Sequence, residues 1–147
     1  MSKFNDVLLD TTRRSEFVRD ICGIVDAEVS DKKGLSGLAV KAAFKTVKAV
    51  KPNMLESVLD VLFEEFVEAL TPIYDAYVLD SENDLFVYFT GRSGQVADAL
   101  LSITDRRAQK SKLKGLVKAY EKLRPQGTKY VSESVPRLSR LLQSYGL

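Results

Sequence analysis

The sequence has no histidine and only one cysteine, Cys22. Without histidine, the usual proton shuttle near neutral pH and the commonest metal ligand are both missing. With a single cysteine, no disulfide can close within the chain and no Cys/His zinc cluster can be built. A cysteine nucleophile would lack its customary imidazole partner. Cys22 lies among apolar neighbours in FVRDICGIV, which reads as a buried, inert thiol. Long hydrophobic runs are also missing. Charged residues interrupt every apolar stretch well before the ~20 residues that a bilayer crossing needs. The N-terminal segment MSKFNDVLLDTTRR holds only the short apolar patch Val7 to Leu9, against the ~7–15 residues of a secretory signal. The expected location is the cytoplasm. Proline and glycine are scarce, at four and eight residues, and most fall where helices should start or stop. No linker, repeat or low-complexity tract divides the chain, so residues 1–147 read as one domain.

What is present is a strong segregation of charge beneath a net charge of +2. Residues 1–50 carry nine Lys/Arg against seven Asp/Glu, residues 51–104 two against ten, and residues 105–147 eleven against three. Either the acidic middle complements the basic end inside one fold, or the basic end faces a polyanion.

Apolar periodicity is helical almost throughout. Phe17, Val18, Ile21, Val25 and Val29 share one face of a helix over 12–29, with Asp10, Thr11 and Thr12 offering cap oxygens. A second helix over 36–50 is apolar nearly all round except for the stripe Lys41, Lys45, Lys48, which marks it as central in a bundle. A third starts after Asn53, with Glu56 at capping-box spacing, and runs to about Leu70. It carries Leu55, Leu59, Leu62, Phe66 and Leu70 inward and the acidic stripe Glu56, Asp60, Glu64, Glu68. An antiparallel hairpin of these two helices would set Lys48 near Glu56, Lys45 near Asp60 and Lys41 near Glu64. Thr71-Pro72 reads as a cap and a new start for a short helix over 72–79. Residues 76–90 admit a β-hairpin, because LFVYF is rich in strand formers. The capping-box spacing of Ser81 and Asp84, and Gly91 as a stop, favour a helix. Helices over 94–108, 112–124 and 130–145 follow, with Arg124-Pro125-Gln126-Gly127 as a break and Pro136 restricting or kinking the last. The expectation is an all-α, single-domain bundle of seven or eight helices with short loops.

The stretches DKKGLSGLAVKAAFKTVKAVKP, ADALLSITDRRA and PRLSRLL resemble a family of small bacterial all-helical proteins of unassigned function. The resemblance extends over most of the chain. It implies a bacterial, cytoplasmic, helical protein and supplies no catalytic or binding residue.

Four constellations carry chemistry to weigh. The acidic stripe cannot form a di-iron centre, because the Glu-x-x-His motifs of such bundles need histidine; a solvated or lysine-paired face is the better reading, and no metal or cofactor is expected. In residues 31–37, DKKGLSG, Lys32 and Lys33 precede a helix N-terminus whose free N–H groups are suited to an anion, although the P-loop order is absent. The basic residues Arg106, Arg107, Lys110, Lys112, Lys114 and Lys118, continued by Lys122, Arg124 and Lys129, are suited to phosphates or an anionic membrane surface, but base-stacking aromatics are sparse, with Tyr130 the one left free by the apolar faces. Residues 90–95, TGRSGQ, lack nucleophile-elbow spacing and a base. The aromatic zone Tyr74, Tyr77, Phe86, Tyr88 and Phe89 reads as packed core. The leading functional expectation is a non-enzymatic protein that acts through protein–protein contacts, including self-association. Anion or nucleic-acid binding through Lys32, Lys33 and the 106–129 region is the alternative.

Overall fold

The computed structural model describes residues 3–80 and 83–147. Among them the helices run α1 (Lys3–Leu8), α2 (Thr11–Asp31), α3 (Gly34–Val50), α4 (Met54–Val78), α5 (Leu85–Thr90), α6 (Ser93–Lys110), α7 (Lys114–Leu123) and α8 (Gly127–Ser144). A 3-10 turn, Arg124–Gln126, joins α7 to α8. No strand occurs among the described residues, so the all-α reading is borne out and the hairpin alternative at 76–90 falls. Asp84 caps α5 by accepting the Val87 N–H at 2.8 Å; its expected capping-box partner, Ser81, lies outside the described residues.

Apolar residues sort into two clusters. The larger gathers Phe4 and Leu8 of α1, Phe17 and Val18 of α2, Phe63 to Tyr74 of α4, Leu85 and Phe89 of α5, Val96 of α6, and Val135, Leu138 and Leu142 of α8. Aromatic rings run through it. Phe4 stacks on Tyr74 at 4.8 Å, Tyr74 meets Tyr77 at 5.5 Å, and Tyr77 meets Tyr88 at 5.7 Å. The aromatic zone is therefore mostly packed core, as its composition suggests. The smaller cluster joins Ala43 and Val47 of α3, Met54 of α4 and Ala119 of α7, with Val58, Leu116 and Leu123 against it.

Four local expectations give way to the structure. α1 forms where only a short apolar patch was read; Phe4 and Leu8, spaced by four, bury completely or nearly so against α2 and α4. α4 does not break at Thr71-Pro72 but continues through it. Proline removes one helical hydrogen bond, yet the Pro72 ring faces solvent, and Ile73 and Tyr74 beyond it are buried in the larger cluster. That burial, with the Thr71 hydroxyl donating to the Val67 carbonyl at 2.7 Å, holds the helix together across the proline. Asn53 adopts a left-handed conformation (φ 61°) and makes no side-chain cap, so the Asn53–Glu56 box does not form. Gly127 starts α8 rather than ending α7; it is buried, with little room beside Arg124 and Leu101 for a side chain.

The most consequential correction concerns α3. It is not central. Only Gly37, Val40, Ala43 and Val47, one narrow stripe, are buried. Nor do its lysines face the acidic stripe of α4. Lys48 pairs with Asp26 of α2 at 3.1 Å, while Asp60 and Glu64 are held by Arg14 of α2 at 3.4 and 3.0 Å. Arg14 also sits over the Phe63 ring at 5.1 Å. Arg14 thus bridges the two carboxylates that the lysine pairing would have used, and α3 packs chiefly on α7.

Candidate interaction surfaces

α3 presents its outward side to solvent along its length. Leu35 is 87% exposed and Leu38 65% exposed. Ala39, Ala42, Thr46 and Ala49 are exposed beside them. Residues 35, 39, 42, 46 and 49 recur at spacings of four and three, so they form one continuous face, with Leu38 at its edge. Lys41, Lys45 and Lys48 line one flank. Among the described residues, Lys41 and Lys45 have no ion-pair partner. An apolar helix face left in water is costly, at roughly 25 cal/mol per Å², and monomeric proteins seldom keep one without a use.

The turn that leads into α3 is shaped by two glycines. Gly34 has φ +75°, a conformation that side chains resist, and a Cβ on Gly37 would lie 2.7 Å from the Lys32 carbonyl carbon. This tight corner folds against α8. Neither Ser30 nor Ser36 caps α3; Lys33 occupies the N-cap position without a side-chain bond. Lys32 turns away from the helix end. It pairs with Glu28 at 3.6 Å and Glu133 at 3.2 Å, and lies over the Tyr130 ring at 5.1 Å. Arg137 of α8 bonds Glu28 and also Asp31, the latter at 2.6 Å. That contact holds the Asp31 carboxyl below its usual range, chiefly through the Arg137 hydrogen bond. The corner and α8 border an open, shallow cleft of about 610 Å³. DKKGLSG suggests Lys32 and Lys33 together as anion ligands; the structure separates them, with Lys32 paired to Glu28 and Glu133 and Lys33 in no close ion pair, its charge acting on Asp31. It also brings Lys129 and Tyr130, a hundred residues away in sequence, to the same cleft. No local pattern announces that meeting, because it arises from the packing of α2 against α8.

The basic run 106–129 spans the end of α6, the connection, α7 and the start of α8. Parts of it are consumed internally. Arg106 pairs with Glu65 at 3.9 Å and Arg124 with Asp105 at 2.8 Å. Asp105 also accepts from the Tyr120 hydroxyl, which lies 2.7 Å from that of Thr104. This network ties α7 to α6. Burial, then the Asp105 bond, pushes the Tyr120 phenol up to about 12, while the Arg124 hydrogen bond, foremost, holds Asp105 low. Arg107, Lys110, Lys112, Lys114 and Lys118 have no partner among the described residues, and Lys114, Lys118 and Lys122 point outward from α7 as expected. Cys22 is half-buried rather than enclosed; desolvation, then the charges of Glu56 and Asp26, raises its thiol above the usual range, which leaves it a poor nucleophile. Among the described residues no group of three or more carboxylates and thiols is placed to hold a metal. No helix of the described residues is long and apolar enough to cross a membrane.

The molecule is thus a helical protein with a closed aromatic core, an appended α3–α7 pair and no assembled metal or thiol chemistry among the described residues. Residues 4–146 match the model of DUF6918, a family of unknown function, and the chain belongs to that family. No curated protein and no solved structure matches it.

Proposed function

We propose that this protein is a non-enzymatic, cytoplasmic helical module that works by contact with another polypeptide, and that the outward face of α3 is the contact surface. The observation that carries this reading is the exposure of Leu35 and Leu38, at 87% and 65%, on a helix apolar enough for the interior of a bundle. Alanines at 39, 42 and 49 allow a second helix to approach closely, and the lysine flank selects one with acidic residues along its edge. The chain carries such a surface itself. On α4, Val61 is 58% exposed, and Glu68, two turns on, carries a carboxylate in no ion pair, while Glu64 and Glu65 beside it are shared with Arg14 and Arg106. A second copy is therefore the partner, its α4 face meeting α3. Each copy offers both faces, the self-complementarity that a two-fold dimer requires.

Sedimentation velocity tests this. Wild-type protein is expected to associate with rising concentration, and Leu35→Ser with Leu38→Ser to remain monomeric at unchanged thermal stability. The two leucines retain most of their surface for burial on docking, about 2–4 kcal/mol together, so the dissociation constant should rise by about 30-fold or more. The apolar contribution should survive added salt, unlike polyanion binding, which weakens steeply. A wild-type protein that stays monomeric at every concentration would overturn the self-association reading.

A further inference from the structure

We infer that α3 and α7 open from the rest of the molecule as one cooperative unit, a lid over the first turns of α4. The pair has a core of its own. Among the described residues, seventeen buried side chains build the larger cluster, and none of them belongs to α3 or α7. The smaller cluster has four, Ala43, Val47, Met54 and Ala119; three lie on the pair, and Met54 begins α4. Ala119 is the one buried residue of α7, and α7 packs chiefly on α3. An element that buries little apolar surface and is poorly joined to the main core opens at a lower free energy than that core. Because each helix of the pair finds its main packing on the other, neither keeps that packing when its neighbour leaves.

The chain is jointed where such a unit has to turn. Gly34 (φ 75°) begins α3 and Asn53 (φ 61°) follows it, both in the left-handed region. Residues 111–113 and the 3-10 turn flank α7. Polar ties between the pair and the body are of two kinds. Lys48 meets Asp26 with both side chains more than half exposed, and exposed ion pairs of this sort add little. The firmer tie lies at the C-terminal end of α7. There Tyr120 and Arg124 both bond Asp105 of α6, and the Tyr120 hydroxyl meets that of Thr104. This is the latch. The bonds of Lys32 and Arg137 clamp α2 to α8 and stay on the body side of the Gly34 joint. Opening bares the inward stripe Val40, Ala43 and Val47 together with Met54 and Val58 of α4. The motion concerns the inward side of α3 and does not rest on the dimer proposed above.

Native-state hydrogen exchange of the full chain, read by mass spectrometry, tests this. Amides of α3 and α7 are expected to share one level of protection and to exchange about tenfold or more faster than those of residues 63–74 in α4 and 135–142 in α8. Val47→Ala thins the small cluster and should speed exchange in α7 as much as in α3, by about tenfold. Tyr120→Phe unties the latch and should speed both several-fold. Gly23→Ala acts on the body alone, because α2 stays folded when the lid is open. It should slow exchange in the two core segments by about two- to fivefold and leave α3 and α7 unchanged. Helices that merely fray would not carry the Val47→Ala effect across to α7. Protection of α3 and α7 equal to that of the core, an α7 untouched by Val47→Ala, or slowing of α3 and α7 together with the core in Gly23→Ala would each overturn the proposal.

Discussion

The tight α2–α3 corner makes a prediction of sign as well as size. A Cβ on Gly37 would lie 2.7 and 2.8 Å from the Lys32 carbonyl carbon and oxygen. Carbon contacts prefer about 3.5–4.0 Å, so Gly37→Ala must push α3 from the end of α2 by several tenths of an ångström. The obstacle is backbone, which cannot swing aside as a side chain does. Overpacking of this kind costs about 1–3 kcal/mol, and the helix-propensity gain of alanine over glycine returns up to about 1 kcal/mol. The net expectation is a loss of about 1–2 kcal/mol. Gly23 supplies the control. It lies exposed in the middle of α2, with nothing within 4 Å of its would-be Cβ. Gly23→Ala should therefore stabilise by about 0.5–1 kcal/mol through propensity alone. At about 3–4 °C per kcal/mol for a chain of this length, calorimetry should show the two variants moving in opposite directions, about 3–8 °C down and about 2–4 °C up. If Gly37→Ala melts at or above wild type, the close approach that builds the corner is wrong.

Two further outcomes follow from the packing. Phe4 is fully buried against Tyr74, so Phe4→Ala should cost about 3–5 kcal/mol in urea unfolding; a loss under about 1 kcal/mol would mean that α1 is not docked. In ultraviolet titration, Tyr120 should ionise near pH 12 in the folded protein, and Asp105→Asn should lower that value. Because the folded-state phenol is raised above its ordinary 10, its contribution to stability is whole below pH 10 and is lost as pH climbs from there toward 12. Asp105 acts at the other end: its carboxyl is held low, so its contribution is present above the ordinary carboxylate range and disappears as acid protonates it. An unchanged Tyr120 titration in Asp105→Asn would contradict the network.

How far the sequence could be read depended on the range of the interaction involved. Periodicity placed α2, α6, α7 and α8 because each shows its apolar stripe within its own residues. The Asp10 cap was legible too: its carboxylate accepts the Thr12 N–H at 2.9 Å, two residues on. Pro72 was misread because local rules count the lost hydrogen bond and cannot count the burial of Ile73 and Tyr74 that outweighs it. α3 was misplaced for a related reason. Its composition is that of a central helix, but composition does not say which neighbours it meets, and the carboxylates expected to face its lysines are met instead by Arg14, 46 and 50 residues away. The candidate cleft was half visible. DKKGLSG marked Lys32 and Lys33, while Lys129 and Tyr130 reach them only through the packing of α8 against α2.

The central claim is that the α3 face of one copy docks on the acidic α4 face of another, and a charge exchange tests it most directly. Lys41→Glu with Lys45→Glu should abolish self-association in sedimentation, as should Glu65→Lys with Glu68→Lys. An equimolar mixture of the two variants should restore it, since each presents the charge the other now lacks. Two variants that stay monomeric when mixed, or that associate alone as well as wild type does, would contradict the account.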